Sequence, residues 1–263
     1  MGLKSIIILF TLFIILGMEM PVFGQLEFIA HRGASYLAPE NSLASIQLAW
    51  DLDSDGVECD IMLTKDKKIV LFHDTKMQRL LGLPGSIADT AYDKIKGRPI
   101  KLANTNLEKY QGETVPLLSE ALAIIPENKT LVIEIKVGDE IIPSLKKEIT
   151  DHWKSGKIAF IAFDYNTILE AKRIFPDVPC YYLSSNLEDL YQHMGSIITS
   201  NLDGVDLNHK IITKDIVWRF KREGKEVWCW TVNDPKDAKR MQEIGVSCIT
   251  TDRPDWLKKE LNP

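Results

Sequence analysis

Residues 56–74 read GVECDIMLTKDKKIVLFHD, and the relation between the two apolar runs in this stretch decides the fold. The first run, GVECDIML (56–63), has the length and composition of a buried strand, with Glu58 and Asp60 at alternate positions. The second, KKIVLFHD (67–74), follows after only a few residues. Two adjacent parallel strands need a crossover of a dozen or more residues between them. The second run is therefore expected to fold back as a hairpin arm or to sit above the sheet.

Outward from this stretch, short apolar runs alternate with helical patterns. The other strand candidates are EFIA (27–30), TLVIEIK (130–136), KIAFIAF (157–163), VPCYYL (178–183), DGVDL (203–207), EVWCWTV (226–232) and VSCIT (246–250). Amphipathic stretches such as SLASIQLAWDL, YNTILEAKRIF and PKDAKRMQEIG lie between them, and Gly224 and Gly245 mark helix ends. Strand–helix alternation implies a parallel sheet, and eight strands in about 239 residues imply an α/β fold closed into a (β/α)₈ barrel. The long segment from about 75 to 129 then reads as a small insertion after the second barrel strand, on the face where barrel enzymes keep their chemistry.

The first 24 residues read as an address. Lys4, the run SIIILFTLFIILG and Gly24 before Gln25 fit a secretory signal peptide, too short for a comfortable membrane span. The expectation is an exported protein, periplasmic or secreted, with one domain over 25–263 and no stable membrane span after cleavage. A formal charge of −5 argues against nucleic acid as a partner. Cys59, Cys180, Cys229 and Cys248 are scattered without a C-x-x-C pair and read as small hydrophobes.

Side chains two apart on a strand share a face, so Glu58 and Asp60 point the same way with Cys59 turned toward the helices. Glu134 and Lys136 repeat the pattern on the next barrel strand. Charges directed into a barrel are costly unless they bind something at its mouth. Three carboxylates, Glu58, Asp60 and Glu134, make an oxygen-rich site suited to Mg²⁺ or Ca²⁺. Arg32 and Lys136 beside them point to an anionic ligand, the guanidinium offering a fork for phosphate oxygens. His31 and His73 each end an apolar run, and such a pair suits a reaction needing both an acid and a base. Trp230 shares a face with Trp228 and would offer an apolar wall at the mouth. Asn41 or Ser42 is expected to cap the helix starting near Leu43, and Glu40 to brace the site. His209 follows a strand and could line the mouth, while Asp252 and Arg253 read as a charge network closing the barrel.

Together AHRG…PENS, GVECDIMLTKD…IVLFHD, VPLLSEAL, LVIEIK, WTVND and TDRPD resemble the glycerophosphodiester phosphodiesterase family over nearly all of the chain after the leader. The resemblance implies a divalent cation held by Glu58, Asp60 and Glu134, and general acid–base work by His31 and His73. It implies phosphate binding by Arg32 and Lys136, and Trp230 packed on glycerol. The reaction implied is hydrolysis of small glycerophosphodiesters to sn-glycerol 3-phosphate and an alcohol. The chain departs from the family pattern in LLGLPGS after HDTKMQR and in Ala162-Phe163. A lysophospholipase D or sphingomyelinase D-like enzyme on the same barrel is the nearest alternative. A non-catalytic ligand-binding barrel would predict loss of one of these groups, and all are present.

Overall fold

The computed structural model describes residues 26–102 and 105–261, so the expected signal peptide, residues 1–24, lies outside the described residues. Eight parallel strands form the barrel: β1 (Glu27–Ala30), β2 (Gly56–Leu63), β4 (Thr130–Ile135), β5 (Lys157–Ala162), β6 (Cys180–Ser184), β7 (Gly204–Asn208), β8 (Glu226–Trp230) and β9 (Cys248–Thr251). They pair in sequence order, and β1 closes the ring by pairing with both β2 and β9. The run that cannot be a barrel strand is β3 (Ile69–Leu71), antiparallel to β2, with Ile61 opposite Leu71 and Leu63 opposite Ile69. The (β/α)₈ expectation holds, and so does the hairpin.

The helices are α1 (Leu43–Asp51), α2 (Gln78–Leu81), α3 (Leu118–Leu122), α4 (Ile142–His152), α5 (Tyr165–Ile174), α6 (Leu187–Thr199), α7 (Lys214–Arg222), α8 (Pro235–Ile244) and α9 (Pro254–Leu261). Their starts are written in the sequence. Ser42, Asp164, Asn186, Thr213 and Asp234 each accept a hydrogen bond from a first-turn N–H, and Gly245 ends α8 in the left-handed conformation. Of the two candidate caps for α1, Ser42 is the one used, its Oγ accepting from the Ser45 N–H at 3.0 Å. Within the segment 75–129, α3 packs against α1, α4 and β3 as part of the helical ring.

Alternation along the strands sorts the side chains into two layers. Outward-facing residues such as Val57, Cys59, Ile61, Phe160 and Val205 pack under the helices. Inside the barrel lie Ile29, Val132, Ala159, Ile161, Tyr181, Leu183 and Trp228. A separate cluster of Met62, Val70, Phe72, Leu80, Ile87 and Ile95 gives the excursion after β3 its own small core. A fully buried Leu, Ile or Phe contributes about 1.5–3 kcal/mol and an exposed ion pair about 0–1, so packing holds the scaffold and leaves the mouth free to be polar. All four cysteines are buried in strands and unpaired. No helix among the described residues is long and apolar enough to cross a membrane.

Candidate active site

At the end of β1 the chain turns sharply, with Arg32 (φ 55°) and Gly33 (φ 79°) both in the left-handed region. Gly33 is required there twice over, because a Cβ would also meet the Ser45 backbone carbon at 2.6 Å. The turn aims the Arg32 N–H at Glu58 Oε2 (2.8 Å) and the guanidinium at Glu40 Oε1 (3.0 Å). Asn41, also left-handed at φ 55°, is not a helix cap. Its Nδ2 donates to Asp60 Oδ2 (2.8 Å), and its Oδ1 accepts from the Asp60 N–H (3.0 Å).

Glu58 and Asp60 point inward from β2, and Glu134 joins them from β4, where its register partner on β2 is Asp60. One ligand oxygen from each lies within 4.8 Å of the others, so the three could hold a metal ion. Burial, and then the charges of Asp60 and Glu134, push the Glu58 carboxyl well above the usual carboxylate range. Glu134 is pushed up to about 7 by burial and by Asp60, although Lys136 Nζ donates to its Oε1 at 2.6 Å. Burial also opposes ionisation of Asp60, but Arg32 and Lys136 outweigh it and hold this carboxyl below its ordinary value. Glu58 Oε1 is buried without a hydrogen-bond partner. Three carboxylates short of positive charge, with a bare oxygen among them, fit a hard divalent cation.

Each histidine is held by a carboxylate. His31 Nδ1–H donates to Asp252 Oδ1 (2.7 Å), and Asn233 Nδ2 donates to Asp252 Oδ2 (2.6 Å). His73 Nδ1–H donates to Asp74 Oδ1 (2.8 Å). Arg79 of α2 forks across Asp74 (2.6 and 2.9 Å) and Glu40 (2.7 and 2.8 Å), and this fork holds Asp74 well below the usual carboxylate range. Pinning Nδ1 fixes the tautomer and leaves Nε2 for a ligand, with the side chains 22% and 32% exposed. Burial lowers His73 below its ordinary value, although Asp60 and Asp74 pull the other way.

Seven of the eight predicted site residues line one cavity of about 170 Å³: His31, Arg32, Glu58, His73, Glu134, Lys136 and Trp230. Asp60 lies behind its wall, in the carboxylate trio. Ile161, Leu183, Phe163 and Trp230 supply the apolar part of the lining, the last two edge to face at 5.6 Å. Glu40 braces Arg32 and Arg79, as its position beside the loop implies. His209 does not line this cavity; its Nδ1 lies 3.3 Å from the carbonyl of Trp230. Asp252 closes the barrel end and holds a histidine in doing so. Sequence reading missed Asp74, Arg79 and Asp206. For Asp74 the signal was at hand, since a carboxylate adjoins His73 in sequence.

The arrangement can bind an anion beside a cation and move protons on either side of it. The model of the glycerophosphoryl diester phosphodiesterase family matches residues 31–256. A glycerophosphodiester phosphodiesterase of Caldanaerobacter subterraneus is 30% identical over 87% of this chain and 95% of its own length. The structure of an Oleispira antarctica phosphodiesterase in complex with the product sn-glycerol-3-phosphate superimposes with a TM-score of 0.82, at 28% identity, covering 90% of this chain and 97% of that one. The lysophospholipase D GDPD1 of Rattus norvegicus is 24% identical, over 88% of this chain and 85% of its own.

Proposed function

The chain belongs to the glycerophosphoryl diester phosphodiesterase family and is an enzyme of that class, and from this premise we propose how its own residues divide the work. The substrate is a soluble glycerophosphodiester, cleaved to sn-glycerol 3-phosphate and an alcohol. Arg32 and Lys136 bind the phosphate, and Trp230 packs on the glycerol carbons. A divalent cation, Mg²⁺ or Ca²⁺, held by Glu58, Asp60 and Glu134 would supply Lewis-acid polarisation of a phosphoryl oxygen. His73, kept below its ordinary value by burial, takes the proton of the attacking hydroxyl at Nε2. That hydroxyl is either water's, which gives glycerol 3-phosphate directly, or the substrate's own glycerol's, whose cyclic phosphate water then opens. His31, held at Nδ1 by Asp252, gives an Nε2 proton to the leaving alkoxide. The observation that carries the reading is the histidine pair, each tied at Nδ1 to a carboxylate and each lining the cavity that holds the acidic groups.

The test is release of glycerol 3-phosphate from glycerophosphocholine and glycerophosphoethanolamine, wild type against His31→Ala, with and without chelator. Release that needs both the metal and His31 is the expected result. No release from either diester by folded, metal-supplied protein would overturn it.

A second reading, a lysophospholipase D acting on lipid, is favoured by exposed Tyr36, Leu37, Phe163 and Leu187, all on segments that follow strand ends at the mouth. Turnover of lysophospholipid micelles without turnover of soluble diesters would select it. The leader extends the proposal to export, and a mature mass beginning at Gln25 is the expected observation.

A further inference from the structure

One buried carboxyl in the cavity has no task in the scheme above. Asp206 sits at an inward position of β7 and is 1% exposed. Its Oδ1 is buried without a hydrogen-bond partner, and Asp206 is not among the three carboxylates that share a potential metal. Such an orphaned oxygen is rare in a folded protein unless something absent from the bare chain binds it. Asp206 lines the cavity beside apolar Ile161 and Leu183. Its backbone carbonyl accepts the Trp230 Nε1–H at 3.1 Å, which fixes the indole next to it.

The surroundings select the partner. A phosphate at Asp206 itself is disfavoured, because this carboxyl already feels the Glu134 carboxylate, whereas the two cations assigned to the phosphate, Arg32 and Lys136, lie against Asp60. An apolar group would leave Oδ1 as bare as before. A neutral hydroxyl satisfies a carboxyl in either protonation state, since it both donates and accepts. We propose that Asp206 is the specificity-determining residue for the glycerol half of the substrate, its side chain hydrogen-bonded to the terminal hydroxyl while Trp230 packs on the carbons. This rests on the glycerophosphodiester reading and deepens it: the site selects a polyol over an alkyl alcohol of the same length.

The test compares glycerophosphocholine with the phosphocholine diester of propane-1,2-diol, which lacks only the terminal hydroxyl. Wild type should prefer the glycerol diester in kcat/KM by at least about tenfold, as sites that hydrogen-bond a substrate hydroxyl do. Asp206→Leu, close in volume and unable to bond, should collapse that ratio to within about threefold, and Asp206→Asn should restore most of it. Asp206→Ala serves in the same comparison if the Leu variant does not fold. A ratio that survives in Asp206→Leu, with both diesters slowed alike or with a higher metal requirement, would overturn the proposal and make Asp206 a structural or metal-supporting group. If wild type cleaves neither diester, the reaction assigned above fails. Calorimetry of glycerol 3-phosphate against propane-1,2-diol phosphate, on wild type and Asp206→Leu, then reads the hydroxyl contact alone. Equal affinity for the two in wild type would overturn it.

Discussion

His31 and His73 each give an Nδ1 proton to a carboxylate, at 2.7 and 2.8 Å, yet the two carboxylates are held by different parts of the molecule. Asp252, behind His31, follows the last barrel strand and is fastened by Asn233 from the segment after β8. Asp74, behind His73, is its sequence neighbour and is fastened by Arg79 from the excursion after β3. One wall of the mouth is the closed barrel itself. The other is a local hairpin with a short helix and a small core of its own. Two like contacts thus differ in how far through the chain their support extends.

The largest expected effect ignores that difference. His31→Ala and His73→Ala should each cost about 10²–10⁴-fold in kcat with little change in Tm, read on glycerophosphocholine at saturating metal. The double variant should be scarcely worse than either single one if the pair acts as a unit. Full turnover by either single variant would break the pairing of roles.

Glu58→Gln addresses what lies between the walls. It removes one charge from the trio, so the metal concentration for half-maximal activity should rise by about tenfold or more, read by metal titration after chelation. An unchanged requirement would remove Glu58 from the metal site.

The walls themselves are separated by Arg79→Ala and Asn233→Ala. Each frees the carboxylate behind one histidine, and each should lower kcat about tenfold. Arg79 is partly exposed, so its ion pairs contribute less than about 1 kcal/mol to stability, and Arg79→Ala should change kcat far more than it changes Tm. A large fall in Tm with normal kcat would mean that the fork only anchors the excursion.

A smaller effect concerns metal-free protein. Glu134 is pushed up to about 7 from an ordinary 4.5, so the folded state binds more protons than the unfolded one between these values. Stability should therefore rise as pH falls toward 7 and below. His73, lowered in the fold, acts in the opposite sense, and only as pH falls through the ordinary imidazole value of 6.5. In chelator, Tm should rise by a few degrees between about pH 8.5 and 6.5, and Glu134→Gln should reduce that slope, leaving the part that Glu58, raised by the same burial, contributes. A Tm that falls over this window in both proteins would contradict the charge deficit. The smallest effect expected is none: reductant should leave Tm unchanged, because the four cysteines are buried and unpaired.

The charged groups of the candidate site were legible because strand periodicity places them. Glu58 and Asp60 at i and i+2, Lys136 after Glu134, and His31-Arg32 where an apolar run stops all state their direction in the chain itself. The fold-back of β3 was legible from connection length alone. What stayed hidden depends on distance in sequence. Asp252 meets His31 across 221 positions, and Arg79 meets Glu40 across 39. Asn41 had the composition of a cap, but a left-handed backbone turns its amide onto Asp60 while Ser42 takes the cap. Asp206 sits in GVDLN like any alternating polar position, and only its burial and its bare oxygen distinguish it.

The closure of β1 onto both β2 and β9 has a consequence in time. Contacts this far apart in sequence form late, after the slow search for non-local pairing. During synthesis the carboxylate behind His73 and the arginine that forks across it are both made by residue 79, whereas His31 waits for Asp252, near the end of translation. A chain cut before residue 252 therefore keeps the His73–Asp74 pair but lacks the carboxylate behind His31, and is expected to be inactive.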